Sequence, residues 1–393
     1  MELANYFEPI NIESIGYSHK PYIQQLGDAI VPYTNLDEFP SLQDVSLAIV
    51  GIQDDRCAVK NSGCAQAPDE IRKKLYPLAL PCMEAKIVDL GNIAPGDTID
   101  DTYFAVTESF YKLLERDITI VVLGGSQDFT FAIYKAYEIL GRIINICAID
   151  SRFDIDGSPK MDSRNYLKHI IMQQPNYLFN YTNIGYQTYF VGPEYVSLMD
   201  ELKFDAYRLG LIQSHMESAE PLVRNADLIS VDLGAVRQSD APANGDPSPH
   251  GFYGEQLCQI ARFAGMSDKT SCMGFFELNP HFDNHSQTAH MVAHAIWYFI
   301  EGFYNRQHDF PYRDKENYRR YMVQLPKEGL EINFYKSKKS NRWWCEVPCQ
   351  DPERSERYER HLLVPCNYSD YEQAMNNEVP TIWWTFYQRM NDF

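Results

Sequence analysis

Seven stretches in the first three hundred residues are apolar almost throughout: 45–52 (VSLAIVGI), 84–91 (EAKIVDLG), 118–125 (ITIVVLGG), 143–150 (IINICAID), 182–191 (TNIGYQTYFV), 226–234 (ADLISVDLG) and 269–279 (KTSCMGFFELN). Between them, 100–116 and 129–142 have helical periodicity, and 285–306 predicts a long, mostly buried closing helix. A strand that is apolar at every position must be covered on both faces, so strands of this kind alternating with helices predict a mainly parallel sheet between two helical layers. The expected fold is therefore α/β, a three-layer α/β/α domain over residues 1–305, followed by a small α+β extension over 306–393. In the extension, GLEINFYKS and NRWWCEVP flank the turn KSKKSN as a hairpin would, 307–320 reads as a polar linker, and 370–390 reads as helical. Four of the five tryptophans (Trp343, Trp344, Trp383, Trp384) lie here, which predicts a small core of its own or a partner surface.

A net charge of −19 argues against nucleic acid or an anionic membrane as the main partner. No apolar run reaches the length of about 20 residues that a spanning helix needs, and the N-terminal twenty residues lack the pattern of a secretory signal. The nine cysteines are scattered and include no C-x-x-C pair, so a reducing cytoplasm is the expected compartment.

Ligands of open parallel sheets bind outside the carboxyl ends of the strands, so polar residues that end apolar runs are the candidates for chemistry. Four such clusters occur: Gln127 and Asp128 after VVLGGS; Asp150, Arg152 and Asp154 after ICAI; Asp232 in LISVDLG; and Glu277 in GFFELNP. Taken singly, each aspartate also suits a helix cap or a turn.

Taken in order, these segments resemble the arginase (ureohydrolase) superfamily, and most closely its formimidoylglutamase-like branch. That family carries Gly-Gly-x-His, Asp-Ala-His-x-Asp and Ser-x-Asp-x-Asp strand ends, which supply six ligands to two manganese ions. The two ions share a hydroxide that attacks an amidine or guanidinium carbon. This chain reads GGSQD, IDSRFD and SVDLG at those places. The segments 63–75 (GCAQAPDEIRKKLY begins here), 239–256 and FELNPHFD also fit, so the likeness covers about residues 40–305.

Position by position, the resemblance implies that the two histidine ligands are replaced by Gln127 and Arg152, and one aspartate by Gly234. Asp150, Asp154 and Asp232 remain. Glu277 matches the acidic residue near the substrate's cationic end, and His169 falls where relatives carry a proton-shuttling histidine. The expectation is either no metal or one divalent cation, Mn²⁺, Mg²⁺ or Ca²⁺, on an all-oxygen set. Arginine stays protonated and cannot be a ligand, so Arg152 is expected to hydrogen-bond Asp150 and Asp232 in place of the second metal.

Three functions follow: a non-hydrolytic or very weak binding or scaffold protein whose pocket takes a small cationic or amidine ligand; a single-metal amidine hydrolase; or a protein-interaction module working through 306–393. Relatives often form trimers or hexamers, which makes a homo-oligomer the expectation. The pair His290 and His294 reads as core or groove histidines. Cys345, Cys349, His361 and Cys366 read as buried side chains rather than a zinc site. Lys336, Lys338, Lys339 and Arg342 read as a solvated turn.

Overall fold

The computed structural model describes residues 2–20, 22–81, 86–311, 315–326 and 329–391. Its main sheet contains β1 (Ile30–Pro32), β2 (Leu47–Ile52), β3 (Ile87–Ile93), β4 (Thr119–Leu123), β5 (Ile144–Ile149), β6 (Leu178–Tyr186), β7 (Asp205–Arg208), β8 (Leu228–Asp232) and β9 (Cys272–Phe276). The spatial order is β1-β3-β2-β4-β9-β8-β5-β6-β7, and every pairing is parallel. Two cores explain the unbroken apolar runs. Leu47 and Ile49 of β2 point into one, with the helices Gly254–Gly265 and Gln287–Tyr304; Ala48, Val50 and Ile52 point into the other, with Ile99–Leu114 and Phe129–Ile139. Alternation along a strand thus sends apolar side chains both ways, as a three-layer α/β/α fold requires.

All seven expected strands and three expected helices form, with the ends adjusted. Glu84 and Ala85 of the second expected strand lie outside the described residues. β6 starts at Leu178 and stops at Tyr186, well short of residue 191. β1 and β7 are additional: both are short edge strands with exposed or half-exposed positions, so they carry no apolar signal.

The extension is a four-stranded antiparallel sheet, β10 (Tyr318–Leu325), β11 (Leu330–Ser337), β12 (Trp343–Glu346) and β13 (Leu363–Cys366), in that order. The expected hairpin is there, with Phe334 opposite Cys345 and Tyr335 opposite Trp344. The expected linker, however, already contains the start of β10, and the expected long helix is two, Tyr368–Met375 and Thr381–Asn391, separated at Pro380.

The core of the extension is continuous with the main domain. Ile143 and Phe179, at the amino ends of β5 and β6, are buried in the same cluster as Trp343, Trp383 and Phe386. Arg360 Nη2 lies 2.6 Å from Asp227 Oδ1, and Arg224 packs its guanidinium 4.4 Å from the Trp344 ring centre. Arg342, expected in a solvated turn, is mostly buried and reaches Glu220 at 3.3 Å. The cysteine and histidine set of the extension is not a zinc site: His361 stacks on Phe179 and faces the Ile143 carbonyl. No group of three or more His, Cys, Asp or Glu among the described residues is arranged to hold a metal. The eight described cysteines are free thiols.

A candidate site at the mouth of the sheet

The four polar strand ends belong to β4, β9, β8 and β5, which are neighbours in the sheet. Chain order separates them widely, yet the topology sets Gln127, Glu277, Asp232 and Asp150 around one mouth. The turn after β4 is built on Gly124 and Gly125, both at positive φ, and Glu277 N donates to Gly125 O, which ties the ends of β4 and β9 together. Two carboxylate residues are themselves left-handed, Asp154 at φ 50° and Glu277 at φ 66°. Non-glycine residues are held there only when their surroundings over-determine them, and such strain clusters at functional sites.

Glu277 is the most fully satisfied member. Its Oε1 accepts from Gln127 N at 3.0 Å and its Oε2 from Asn61 Nδ2 at 2.7 Å, while Asn244 Nδ2 reaches its backbone carbonyl at 3.3 Å. Burial still pushes its carboxyl up to about 7. Asn61 and Asn244 were not picked out from sequence, although each sits in or next to a segment that carries the family resemblance. Asp150 accepts from Arg152 N at 2.8 Å through Oδ1, and Asp232 accepts from Gly234 N at 2.6 Å.

Three buried oxygens at the floor, Gln127 Oε1, Asp150 Oδ2 and Asp154 Oδ2, have no hydrogen-bond partner among the described residues. Burial raises all three aspartates; mutual repulsion raises Asp154, next to Asp150, and Asp232, next to Asp150 and Glu277. The floor is therefore an acidic cluster whose carboxyls are all pushed upward by burial.

Arg152 does not enter this cluster. Its guanidinium lies 4.1 Å from the centre of the Phe190 ring and 3.9 Å from Asp246, and no hydrogen bond joins it to Asp150 or Asp232 among the described residues. Asp246 also pairs with Arg164 at 2.7 Å, so the guanidiniums form a rim over the mouth. The expected substitution of a guanidinium for the second metal is corrected on this point. Stacking on an aromatic face and a rim carboxylate that is 40% exposed leave the cation partly hydrated, whereas insertion among the carboxylates would desolvate it fully. Behind the rim the remaining cavity is about 30 Å³, lined by Ser151, Arg152, Phe190, Asp232, Gly234 and Glu277 among others. That is room for about one water.

His169 and Asp128 do not face the mouth. His169 lies on the short helix Tyr166–Ile171 with its ring edge-on to Phe131, and Asp128 is buried against the Tyr103 hydroxyl, 2.5 Å away. The helix itself adjoins the floor, since Gln127 Nε2 lies 3.4 Å from the Tyr166 hydroxyl, but no hydrogen bond joins the His169 ring to Asp150, Asp154, Asp232 or Glu277 among the described residues. A cavity of about 980 Å³ also lies elsewhere, between the helices Gly254–Gly265 and Gln287–Tyr304, and His290 and His294 line it as groove histidines.

A stability prediction follows from the acidic floor. Each raised carboxyl is ionised in the unfolded chain at a lower pH than in the fold, so its stabilising share is complete below about pH 4 and is lost as pH rises through its folded value. Asp154→Asn removes one such charge at a left-handed position that asparagine tolerates. In chelator it is expected to raise Tm by roughly 2–4 °C at pH 7 and by nothing at pH 4, by calorimetry. An equal or lower Tm at pH 7 would show that the carboxylate is not under strain.

Comparison with known proteins places these features in context. Residues 45–301 match the arginase family. The chain is 24% identical over 270 residues to formimidoylglutamase of Macrococcus caseolyticus, covering 65% of this chain and 84% of that protein. It is also 24% identical over 271 residues to the Staphylococcus aureus formimidoylglutamase, covering 65% and 86%. Among solved structures, Bacillus subtilis formimidoylglutamase superposes with TM-score 0.66 at 18% identity, over 74% of this chain and 96% of that one. Trypanosoma cruzi formiminoglutamase, solved with Mn²⁺, superposes with TM-score 0.62 at 17% identity, over 68% and 97%.

Proposed function

This chain belongs to the arginase family, and from that premise we propose that it is a non-hydrolytic member, a binding or scaffold protein built on a hydrolase framework. The observation that carries the reading is the donor set at the mouth. Gln127, Arg152 and Gly234 stand where the family resemblance calls for two histidines and an aspartate, which leaves Asp150, Asp154 and Asp232 of the six ligands. These residues do not fit a two-metal centre. Hydrolysis of an amidine at neutral pH needs a nucleophile made from water, and metal ions do this by lowering the pKa of bound water. Here the neighbouring cations are guanidiniums, which polarise far less than a divalent ion and sit at the rim.

The chain's own residues suit a different task. The floor carboxylates favour a small cation, and Asn61 with the Gln127 amide fixes Glu277 so that it faces the opening. The Arg152–Phe190 stack limits entry to groups smaller than a whole substrate unless it swings aside.

The test is release of formamide or urea from a panel of linear amidines, N-formimidoyl-glutamate included, with Mn²⁺ added. No release above that of Asp232→Ala is expected. Turnover in the natural chain that disappears in Asp232→Ala would remove the proposal.

One observation favours a second reading. The three unpartnered oxygens of Gln127, Asp150 and Asp154 suit a single hard divalent cation, Mn²⁺, Mg²⁺ or Ca²⁺. A chain that keeps one ion there would be a weak single-metal hydrolase, and the same assay separates it from a silent scaffold.

A further inference from the structure

At the opposite end of the sheet, where the extension meets the amino ends of the strands, two adjoining cavities of about 540 and 670 Å³ share Arg142 and Arg360. The smaller is lined by Arg142, Arg357, Arg360 and His361, with Tyr177 and Leu140 as an apolar wall, and no carboxylate lines it. The larger adds Lys269 and Arg306, set against Asp117 and Asp268. In a chain of net charge −19 this is a local reversal of sign.

Arg142, Arg306 and Arg357 have no carboxylate within hydrogen-bonding distance among the described residues. Arg360 is paired with Asp227 at 2.6 Å, and Lys269 approaches the same buried carboxylate at 3.9 Å. Arg142 has Asp117 at 4.0 Å, a carboxylate that is 93% exposed and so worth little. Arg306 donates to the carbonyls of Gly265 and Thr270, which carry no charge. Arg357 has no ion pair among the described residues and lies beside the Tyr358 ring. Burial pushes the Lys269 ammonium down to about 8, Asp227 opposes this, and the neighbouring Arg360 adds a minor further lowering.

We propose that the cleft between the extension and the amino ends of β5 and β9 binds a small anion that carries phosphate or carboxylate groups. Arginine forks match both groups bidentately, and the cleft volume is that of a small-molecule site. The acidic surface elsewhere disfavours a long polyanion such as nucleic acid. Arg357 and Arg360 lie in the extension, outside the family match at 45–301, so the site is a property of this chain's addition and does not depend on what the mouth does.

The full chain is titrated with pyrophosphate, inorganic phosphate and citrate at low ionic strength, with binding read by calorimetry and Tm by fluorimetry. A saturable Tm increase is expected with at least one. A preference for pyrophosphate assigns the ligand to the phosphates, and a preference for citrate to the carboxylates. Arg142→Ala and Arg357→Ala are each expected to weaken binding about tenfold or more, and Arg142→Lys to recover part of it. Arg262→Ala, on the helix pair at the other cavity, is expected to leave it unchanged. Arg357 is exposed, so its loss should leave the fold intact. No saturable binding of any of the three anions, or equal affinity in Arg142→Ala and Arg357→Ala, would overturn the proposal.

Discussion

Replacing three positions together, Gln127→His, Arg152→His and Gly234→Asp, is expected to give a chain that takes up two manganese ions and hydrolyses a formimidoyl-amino acid. The rate should be at least about a hundredfold above the natural chain's background, since metal-bound hydroxide replaces neutral water as nucleophile. The scaffold for this is in place. β4, β9, β8 and β5 stand side by side, Asp154 and Glu277 keep their left-handed backbones, and Asp150, Asp154 and Asp232 remain at the floor. Each change is sterically feasible. Gln127 is fully buried at the required strand end, and the atoms nearest a Cβ at Gly234 are those of the Asp232 carboxylate, the first 3.1 Å away, at a backbone angle open to other residues. Removing Arg152 also unstacks Phe190 and opens the cavity. Single reversions should do little, because ligands that act as a unit are strongly non-additive. Metal analysis and formamide release check the outcome. A triple variant that binds two ions but stays inactive would mean that the loss extends into the substrate loops.

Deleting residues 306–393 is expected to unfold the rest of the chain or drive it into aggregates, rather than release an intact main domain. Truncation would expose Ile143 and Phe179, and would strip Arg360 from Asp227, leaving that carboxylate with Lys269 at 3.9 Å. It would also remove Trp344 from above Arg224. Asp227 is buried but the Arg360 side chain is 35% exposed, so losing this pair costs less than the roughly 3–5 kcal/mol of a fully buried one, and exposing two large apolar side chains costs roughly 3–6 kcal/mol more. Together these approach the whole stability of a typical domain, about 5–15 kcal/mol. Circular dichroism and size-exclusion chromatography of the truncated chain decide the matter. A soluble, cooperatively melting 1–305 fragment would show that the extension is separable, and would revive a free-standing interaction module.

Much of this architecture is legible in the sequence for one reason: strands buried on both faces leave unbroken apolar runs, and the first polar residue after each marks the functional end of the sheet. That logic finds Gln127, Asp150, Asp232 and Glu277 before their adjacency is known. It does not find β1 and β7, whose exposed edges carry no apolar signature, nor Asn61 and Asn244, whose importance depends on reaching Glu277 from loops remote in the chain. The direction of Arg152 was also illegible. Spacing puts its Cα beside Asp150, but Phe190 and Asp246, contributed by other loops, decide where its guanidinium goes. The polar segment 307–320 hid the start of β10 because Arg319 and Arg320 of that edge strand are both exposed.

Arg152 at the rim alters the electrostatic account without reversing it. Burial pushes the floor carboxyls upward, and the distant guanidinium lowers Asp150 and Asp154 only as a minor cause. On the proposed reading the mouth takes at most one inorganic cation. Manganese titration of the natural chain, with stoichiometry from metal analysis and coupling from electron paramagnetic resonance, tests this most directly. No ion, or one magnetically isolated Mn²⁺ per chain, is expected; two tightly held, exchange-coupled ions would contradict a degraded metal site.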